Sequence, residues 1–354
     1  MKDIDKATSW YEQNRSLFKS LADKVADILK ENIEGKQLEC HSITSRGKSL
    51  ESFTAKAKKE KYTDPVTQIK DMAGVRVITY LESDVSKIAE IVEDLFDIDW
   101  DNSLDQSQLL GSDKVGYRSV HYIAKFDKSR CKLPEYQRYK DLSFEIQIRS
   151  LLQHAWAEIE HDRNYKFSGK LPTELERRFY LVAGALEMAD HEFVAIATEI
   201  DKYKTEVKQD LVRGDLDIEI TTASLTEYLS DKFRRLAKNT QKQIMSGELG
   251  RLIVEELELF GITTLEQLDR IIPKGFEDTY LSVVYGGNFI GVIRDILMVY
   301  DAKKYFEKSW RGSWNATSVS GVNLLAKYGV DMKYLTQHGI SIDPDIIESD
   351  EDEI

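Results

Sequence analysis

The spacing of apolar and polar residues changes its period near the middle of the chain. Over residues 142–149 apolar and polar positions alternate, which is typical of a strand with one buried and one polar face. Over residues 151–165 the apolar positions recur at helical spacing instead. We therefore predict a strand that leads directly into a helix. The polar face of that strand carries Glu145, Gln147 and Arg149.

Similar patterns predict helices and strands that interleave up to about residue 166. The predicted helices cover residues 8–33, 50–61, 85–96 and 172–203, and the predicted strands cover residues 38–43, 75–81, 117–126 and 142–149. Strand signals fade after about residue 205, and short helical segments replace them. This order predicts an α+β fold in which helices flank a mixed β-sheet, followed by a mostly α-helical C-terminal domain.

The same change of character suggests a division of the chain. We expect an N-terminal helix over 1–37, a mixed α+β domain over 38–203, a helical domain over 204–343 and an acidic tail over 344–354. The third segment has no grouping of acids, histidines and lysines that resembles a second active site. We expect it to regulate or assemble the protein, with a homo-oligomer as the simplest outcome and a purely structural cap as the alternative; the mass in solution would distinguish them.

Composition limits the possible classes of protein. A chain of 354 residues can hold about two domains, and 42% apolar residues suffice for their cores. The net charge of -13 argues against general adhesion to nucleic acid or anionic lipid. The two cysteines have no metal-ligand spacing, and no apolar run reaches membrane-spanning length. We therefore expect a cytoplasmic protein that does not contact a membrane.

Two acidic residues stand at predicted strand ends. Asp71 precedes the strand that begins near residue 75, and Glu145 lies in the strand over 142–149. A single polar strand face is more often simply solvated. Two acids with basic residues clustered between them in sequence, however, are typical of a magnesium–nucleotide site.

Two further segments carry weaker signals. Arg46 and Lys48 flank a glycine in a predicted turn, and Ser52 and Lys56 then lie four residues apart on one helix face. Such a set suits phosphate oxygens, although a lysine-rich helix is often only solvated. In the segment 116–121 an extended backbone would place an aromatic ring, a hydroxyl and an imidazole on one face.

The order of these motifs resembles the synthetase domain of the RelA/SpoT family, over roughly residues 38–167. The motifs are Arg46–Lys48 with Ser52 and Lys56, then Asp71–Arg76, Gly116–His121, Glu145–Arg149, Ala155–His161 and Tyr165–Lys166. The resemblance implies a nucleotidyltransferase-like sheet and a GTP pyrophosphokinase activity. Such enzymes transfer pyrophosphate from ATP to the 3′-hydroxyl of GTP or GDP, releasing AMP and forming the alarmones pppGpp and ppGpp.

The resemblance also implies roles on the donor side. Asp71 matches the family's Mg²⁺ ligand, and Glu145 matches the second acid, which holds metal or activates the attacking hydroxyl. Arg46 and Arg76 match the arginines that sandwich adenine, a use that suits planar guanidinium groups. The residues implied to bind ATP are Arg46, Lys48, Ser52, Lys56 and Arg76.

On the acceptor side the match is less complete. Tyr117 matches the ring that stacks on guanine, and His121 the histidine beside the acceptor, with Gln147 and Lys114 as further acceptor contacts. Many relatives have asparagine where this chain has Val115, and Lys114 is displaced by one residue from its usual place. Selectivity for guanine is therefore less secure than the use of ATP.

Three alternatives stay open at this stage. The segment before residue 38 is too short for the hydrolase domain of the long bifunctional enzymes, so we expect a short, hydrolase-free synthetase. Some toxic relatives instead pyrophosphorylate the 3′ end of tRNA or adenine nucleotides, although the acidic balance argues mildly against tRNA. A regulatory module that binds nucleotides without turnover is the third reading, and the presence of both acids argues against it.

Overall fold

The computed structural model describes residues 3–105, 119–166, 172–239, 247–284 and 288–343. The chain divides into two compact units, over residues 1–198 and 199–354. Each unit has its own cluster of buried apolar side chains. Within the described residues, no helix is both long and apolar enough to cross a membrane.

The first unit alternates helices and strands, as the apolar periodicity predicts. Its described helices are α1 (Ile4–Gly35), α2 (Leu50–Ala57), α3 (Pro65–Gln68), α4 (Ser83–Leu95), α5 (Pro134–Gln137), α6 (Leu151–Lys166) and α7 (Thr173–Arg213), and α7 continues past the unit boundary. Its described strands are β1 (Cys40–Gly47), β2 (Ala73–Thr79), β3 (Asp97–Ile98), β4 (Leu104–Asp105), β5 (Val120–Lys125) and β6 (Phe144–Ser150).

These strands form one mixed six-stranded sheet in the order β1-β2-β6-β5-β3, and β4 also pairs with β5. β2 and β6 are parallel, whereas β1 pairs with β2, and β5 with β6, in the antiparallel direction. The registers place Arg46 opposite Gly74, Gly74 beside Glu145, and Gln147 opposite His121. Because directly paired residues share a face of a sheet, these positions on four neighbouring strands belong to one surface.

The opposite face of the sheet forms the core of the first unit. In β2 and β6 buried residues alternate with partly exposed ones before both strands become fully buried. The buried residues of the alternating part of each strand pack in one cluster with residues of α1 and α4. Burying each large apolar side chain contributes about 1.5–3 kcal/mol, so this stripe fixes α1 on the sheet. The buried side of α1 includes Tyr11, Phe18, Leu21, Val25 and Leu29.

A buried hydrogen bond ties α7 to the end of β6. The Ser150 hydroxyl donates to Asp190 Oδ2 over 2.6 Å, and both side chains are buried. Burial raises the pKa of Asp190, and the hydrogen bond from Ser150 opposes that rise without cancelling it. The bond therefore gives a buried carboxyl its partner and holds this part of α7 against the strand.

The second unit is mostly helical, which confirms the predicted class. Its described helices are α8 (Thr222–Lys232), α9 (Arg234–Asn239), α10 (Gly247–Phe260), α11 (Leu265–Ile271), α12 (Phe276–Val283), α13 (Phe289–Lys304), α14 (Val319–Lys327) and α15 (Lys333–Gln337). Two short parallel strands, β7 (Ala316–Ser318) and β8 (Ser341–Asp343), were not predicted. Strands of this length are too short to show a period of two. The acidic tail lies outside the described residues.

A buried carboxylate organises one side of the second unit. Glu256 of α10 is 4% exposed and accepts two hydrogen bonds from the Arg294 guanidinium of α13, over 3.0 and 2.7 Å. The Tyr305 and Ser313 hydroxyls donate to the same carboxylate over 3.0 and 2.9 Å. Burial and the charge of Glu256 raise the pKa of Tyr305, so its hydroxyl stays a donor. The ion pair is therefore bidentate and supported by further donors.

We predict that Glu256→Ala destabilises the second unit by about 3–5 kcal/mol, because it leaves the Arg294 charge buried without its partner. Hydrogen exchange of the α10 and α13 amides would measure the loss. Glu266→Ala is the control, since Glu266 pairs with Arg270 on an exposed helix face and should cost less than about 1 kcal/mol. Equal losses in the two variants would contradict the prediction.

Candidate functional site

The turn after β1 is fixed by the backbone around it. β1 ends at Gly47, where a Cβ atom would lie only 3.3 Å from a side-chain carbon of α1, so glycine permits the close approach. The Lys48 amide donates to the Met72 carbonyl over 2.9 Å. Ser49 then caps α2 by accepting a hydrogen bond from its first turn. These contacts hold the Lys48 turn beside the segment that carries Asp71.

Two ammonium groups meet on one carboxylate oxygen at this turn. Lys48 Nζ donates to Asp71 Oδ2 over 2.8 Å, and Lys56 Nζ of α2 donates to the same oxygen over 2.7 Å. The Lys48 and Asp71 side chains are only 13% and 15% exposed. Asp71 Oδ1 is buried and has no hydrogen-bond partner. One negative charge therefore faces two positive charges, and one acceptor oxygen remains unused.

Burial and neighbouring charges shift the pKa values of this cluster in opposite directions. Burial raises the pKa of Asp71, but the charges and hydrogen bonds of Lys48 and Lys56 outweigh it and leave that pKa below its usual value. Burial likewise lowers the pKa of Lys56, and the hydrogen bond and charge of Asp71 outweigh that effect and raise it. Both groups therefore stay ionised at neutral pH. The excess positive charge suits an anionic ligand.

A row of hydrogen bonds follows the polar face of β6. Gln147 Nε2 donates to Glu145 Oε2 over 3.0 Å, and Arg149 Nη2 donates to Gln147 Oε1 over 2.6 Å. On β5, His121 Nδ1 lies 3.3 Å from Glu145 Oε1. His121 Nε2 is buried without a hydrogen-bond partner. Glu145 therefore has a neighbour on each oxygen, while His121 keeps one uncommitted ring nitrogen.

The pKa of the Glu145 carboxyl also depends on Asp71. Burial raises the pKa of Glu145, but the hydrogen bonds and charge from His121 and Gln147 outweigh it and lower that pKa overall. The charge of Asp71 is among the influences that oppose this lowering. The negative charge of Asp71 therefore acts on the Glu145 carboxyl.

Two arginines lie on the strands beside these acids. Arg46 is exposed on β1, and its side chain crosses Gly74, where a Cβ atom would lie 3.7 Å from the arginine side chain. Arg76 Nη1 of β2 donates to Glu158 Oε1 of α6 over 2.8 Å. His154 Nδ1 lies 3.7 Å from the same oxygen. The Arg76 guanidinium is thus held at one edge by α6.

The structure brings some of the predicted residues together and leaves others apart. Lys48, Lys56 and Asp71 form one cluster, and Glu145, Gln147 and His121 form the other. Ser52 is exposed and accepts a hydrogen bond from the Ser49 hydroxyl, so it does not join the lysine cluster. Lys114 and Tyr117 lie outside the described residues.

Sequence reasoning assigned no individual role to Glu158 or Tyr11. Glu158 lies in a helical pattern far along the chain from Arg76, and no spacing rule connects the two. Tyr11 falls on the apolar stripe of α1 and therefore reads as a core residue. Its hydroxyl nevertheless donates to the Lys48 carbonyl over 2.8 Å. Only the folded chain brings these partners into contact.

The residues around Asp71 offer limited metal-binding capacity. In the part of the chain that the structure describes, no three side chains of His, Cys, Asp or Glu are grouped as metal ligands. Asp71 Oδ1 is nevertheless a buried oxygen without a donor, and oxygen atoms are the ligands that Mg²⁺ prefers. Because Mg²⁺ keeps several waters and phosphate oxygens, two protein carboxylates fit its usual needs.

Part of the first unit is similar in sequence to known proteins. Residues 45–170 match the family described as "Region found in RelA / SpoT proteins". The chain is 28% identical over 162 residues to GTP pyrophosphokinase YjbM from Bacillus subtilis, which is 45% of this chain and 73% of the relative. It is also 28% identical over 161 residues to GTP pyrophosphokinase YwaC from the same organism, covering 44% and 73%. Residues 45–170 therefore match a RelA/SpoT region, as the resemblance of the motifs predicts.

A solved structure is similar to about half of the chain. The small alarmone synthetase 1 from Bacillus subtilis matches with a TM-score of 0.46 and 24% identity, covering 54% of this chain and 98% of that one. The mixed sheet described above is defined by the strand pairing within this chain and does not depend on that comparison.

The lowered pKa of Asp71 predicts a pH-dependent contribution to stability. A carboxyl whose pKa is lower in the folded state stabilises the fold above its unfolded pKa, and this contribution disappears as the pH falls through the folded pKa. Asp71→Asn should therefore be less stable than the wild type at pH 7, and the difference should shrink below about pH 4. Chemical denaturation across this range tests it.

Asp94→Asn is the matched control for this experiment. Asp94 is 77% exposed and lies 3.9 Å from Lys36, so its replacement should change stability little at any pH. A difference between Asp71→Asn and wild type that stays constant with pH would show that the Asp71 charge is not its source.

Proposed function

We propose that the first unit transfers pyrophosphate from ATP to the 3′-hydroxyl of GTP or GDP, forming pppGpp or ppGpp and releasing AMP. The observation that carries this proposal is the pair of lysine ammonium groups on Asp71, beside a second acid, Glu145. Polyphosphate needs positive charge, and the reacting hydroxyl needs a base. In this proposal the two lysines supply the positive charge and Glu145 supplies the base, and all three lie in the segment that matches RelA/SpoT proteins.

The donor side would work by neutralising charge and aligning phosphates. The 3′-oxygen of the acceptor attacks the β-phosphorus of ATP, and the bond from that phosphorus to the oxygen bridging to the α-phosphate breaks. AMP leaves with that oxygen, and the hydroxyl proton passes to a base. Lys48 and Lys56 can turn from Asp71 Oδ2 to phosphate oxygens with little movement, because they already converge. Such reactions depend mainly on positioning and electrostatics.

We propose Mg²⁺ as the cofactor, held by Asp71 and Glu145. The unpartnered Asp71 Oδ1 supports this assignment. So do the effect of the Asp71 charge on the pKa of Glu145 and the effect of the Glu145 charge on the pKa of Lys56. When bound, the ion supplies neutralising charge to the phosphate oxygens. The lowered pKa values of both acids keep them ionised and available as ligands.

On the acceptor side, Glu145 and His121 are the groups placed to handle the hydroxyl proton. Glu145 is ionised at neutral pH and can accept the proton, while His121 Nε2 is free to bond an acceptor oxygen. Gln147 holds Glu145 in place through its amide. Tyr117 and Lys114 would contact the acceptor base and phosphates, a role that rests on the resemblance alone.

Asp71→Asn and Glu145→Gln should each reduce pyrophosphate transfer by at least about a thousandfold, because each removes a negative charge that the reaction uses. The assay incubates the protein with ATP and, separately, GTP, GDP, AMP, ADP or tRNA, and resolves the products. Asp94→Asn should remain as active as the wild type. Product on tRNA or adenine nucleotides alone would overturn the proposed acceptor, and a variant with a tenth of normal turnover would remove that acid from the proposal.

Arg46→Ala should weaken ATP binding by about 1–3 kcal/mol, because one face of the proposed adenine clamp is lost. Binding of a non-hydrolysable ATP analogue measures the change directly. Arg251→Ala is the control, since Arg251 is an exposed arginine of the second unit. If both variants bound the analogue as the wild type does, Arg46 would not be part of the donor site.

A further inference from the structure

Helix α1 reaches the lysine cluster through one tyrosine. Tyr11 is fully buried, and its hydroxyl donates to the Lys48 carbonyl over 2.8 Å. The Met72 carbonyl lies 3.4 Å from the same hydroxyl. A hydroxyl has one proton, so the Lys48 carbonyl is the main acceptor and the Met72 carbonyl a weaker second one. Met72 directly follows Asp71, so the hydroxyl touches the backbone beside two members of the cluster.

The ring of Tyr11 contacts the third element of the cluster. It stacks on Phe53 of α2, with the ring centroids 4.3 Å apart and the planes inclined by 16°. Phe53 is fully buried and lies on the same short helix as Lys56. One side chain thus packs against the turn of Lys48, the segment of Asp71 and the helix of Lys56.

We infer that Tyr11 is a positioning residue for the donor-phosphate site, an inference that rests on the proposed function. Its hydroxyl fixes the position of the Lys48 backbone relative to Asp71. Its ring fixes the rotation of α2 about its own axis, which sets the direction of the Lys56 side chain. The ammonium groups lie at the ends of long, flexible side chains. Their convergence on one oxygen therefore depends on how firmly their backbones are held.

The chemistry of the tyrosine suits this role. Burial, opposed by the charge of Arg15 and assisted by that of Asp71, raises the pKa of Tyr11 to about 12. The hydroxyl consequently remains a donor at neutral pH. The Lys48 carbonyl has no other described hydrogen bond that would replace it, and leaving a partly buried carbonyl unsatisfied is unfavourable.

The test compares Tyr11→Phe with Tyr139→Phe. Tyr139 is also buried in the first unit, and its hydroxyl lies 2.9 Å from the Ser20 hydroxyl of the same helix α1. Both variants keep the ring and lose one buried hydroxyl that contacts α1, but only Tyr11 contacts the Lys48 turn. Both should show a similar, modest loss of thermal stability in the full-length protein.

Two further measurements separate a positioning role from a structural one. Residue-resolved hydrogen exchange of the free protein reports on the Lys48 amide, which donates to the Met72 carbonyl. Titration with a non-hydrolysable ATP analogue reports on the donor site without requiring turnover. For Tyr11→Phe we expect faster exchange at Lys48 and about tenfold weaker binding, whereas Tyr139→Phe should match the wild type in both.

The outcomes distinguish this inference from the proposed function. Unchanged exchange and affinity in Tyr11→Phe would overturn the inference, and so would equal changes in the two variants, because these would indicate general loosening. If the wild type failed to bind the ATP analogue, the proposed function would be wrong. The exchange rate at Lys48 would still decide whether Tyr11 holds the turn.

Discussion

The contact of two ammonium groups with a single oxygen of Asp71 is the constraint on which the first unit's site depends. Like charges repel, so Lys48 and Lys56 can share one oxygen only if their backbones are held and an acid lies between them. The glycine turn, the cap on α2 and the packing of α1 all serve that arrangement. The result is a local excess of positive charge on a protein whose total charge is -13.

Local periodicity was enough to predict the framework around this contact. The alternation in β6 and the switch to a helix at Leu151 depend on neighbouring residues, and the structure confirms both. The mixed sheet with flanking helices and the helical second unit are likewise confirmed. Asp71 and Glu145 were paired in the prediction because two acids at strand ends, with basic residues between them in sequence, are typical of a magnesium–nucleotide site. In the structure the charge of Asp71 acts on the Glu145 carboxyl.

The sequence could not predict contacts between residues that are far apart in the chain and share no periodic pattern. The Arg76–Glu158 pair joins a strand to a distant helix, and Tyr11 looked like any other apolar position of α1. Ser52 had the right spacing to join the lysines, but its hydroxyl turns to the cap residue instead. Short strands such as β7 are set by their surroundings and leave no periodic signal. Side-chain direction is decided by tertiary packing, which spacing alone does not encode.

The position of β6 has a consequence for how the protein is made. β6 is the last strand of the sheet in sequence, yet it lies between β2 and β5. Until residue 150 has been synthesised, the emerging chain holds β2 and β5 with open edges and no strand to join them. Such long-range pairing slows folding and leaves edges that can associate wrongly. The central strand also carries Glu145. A nascent chain therefore cannot bring Asp71 and Glu145 together until β6 has paired with β2 and β5.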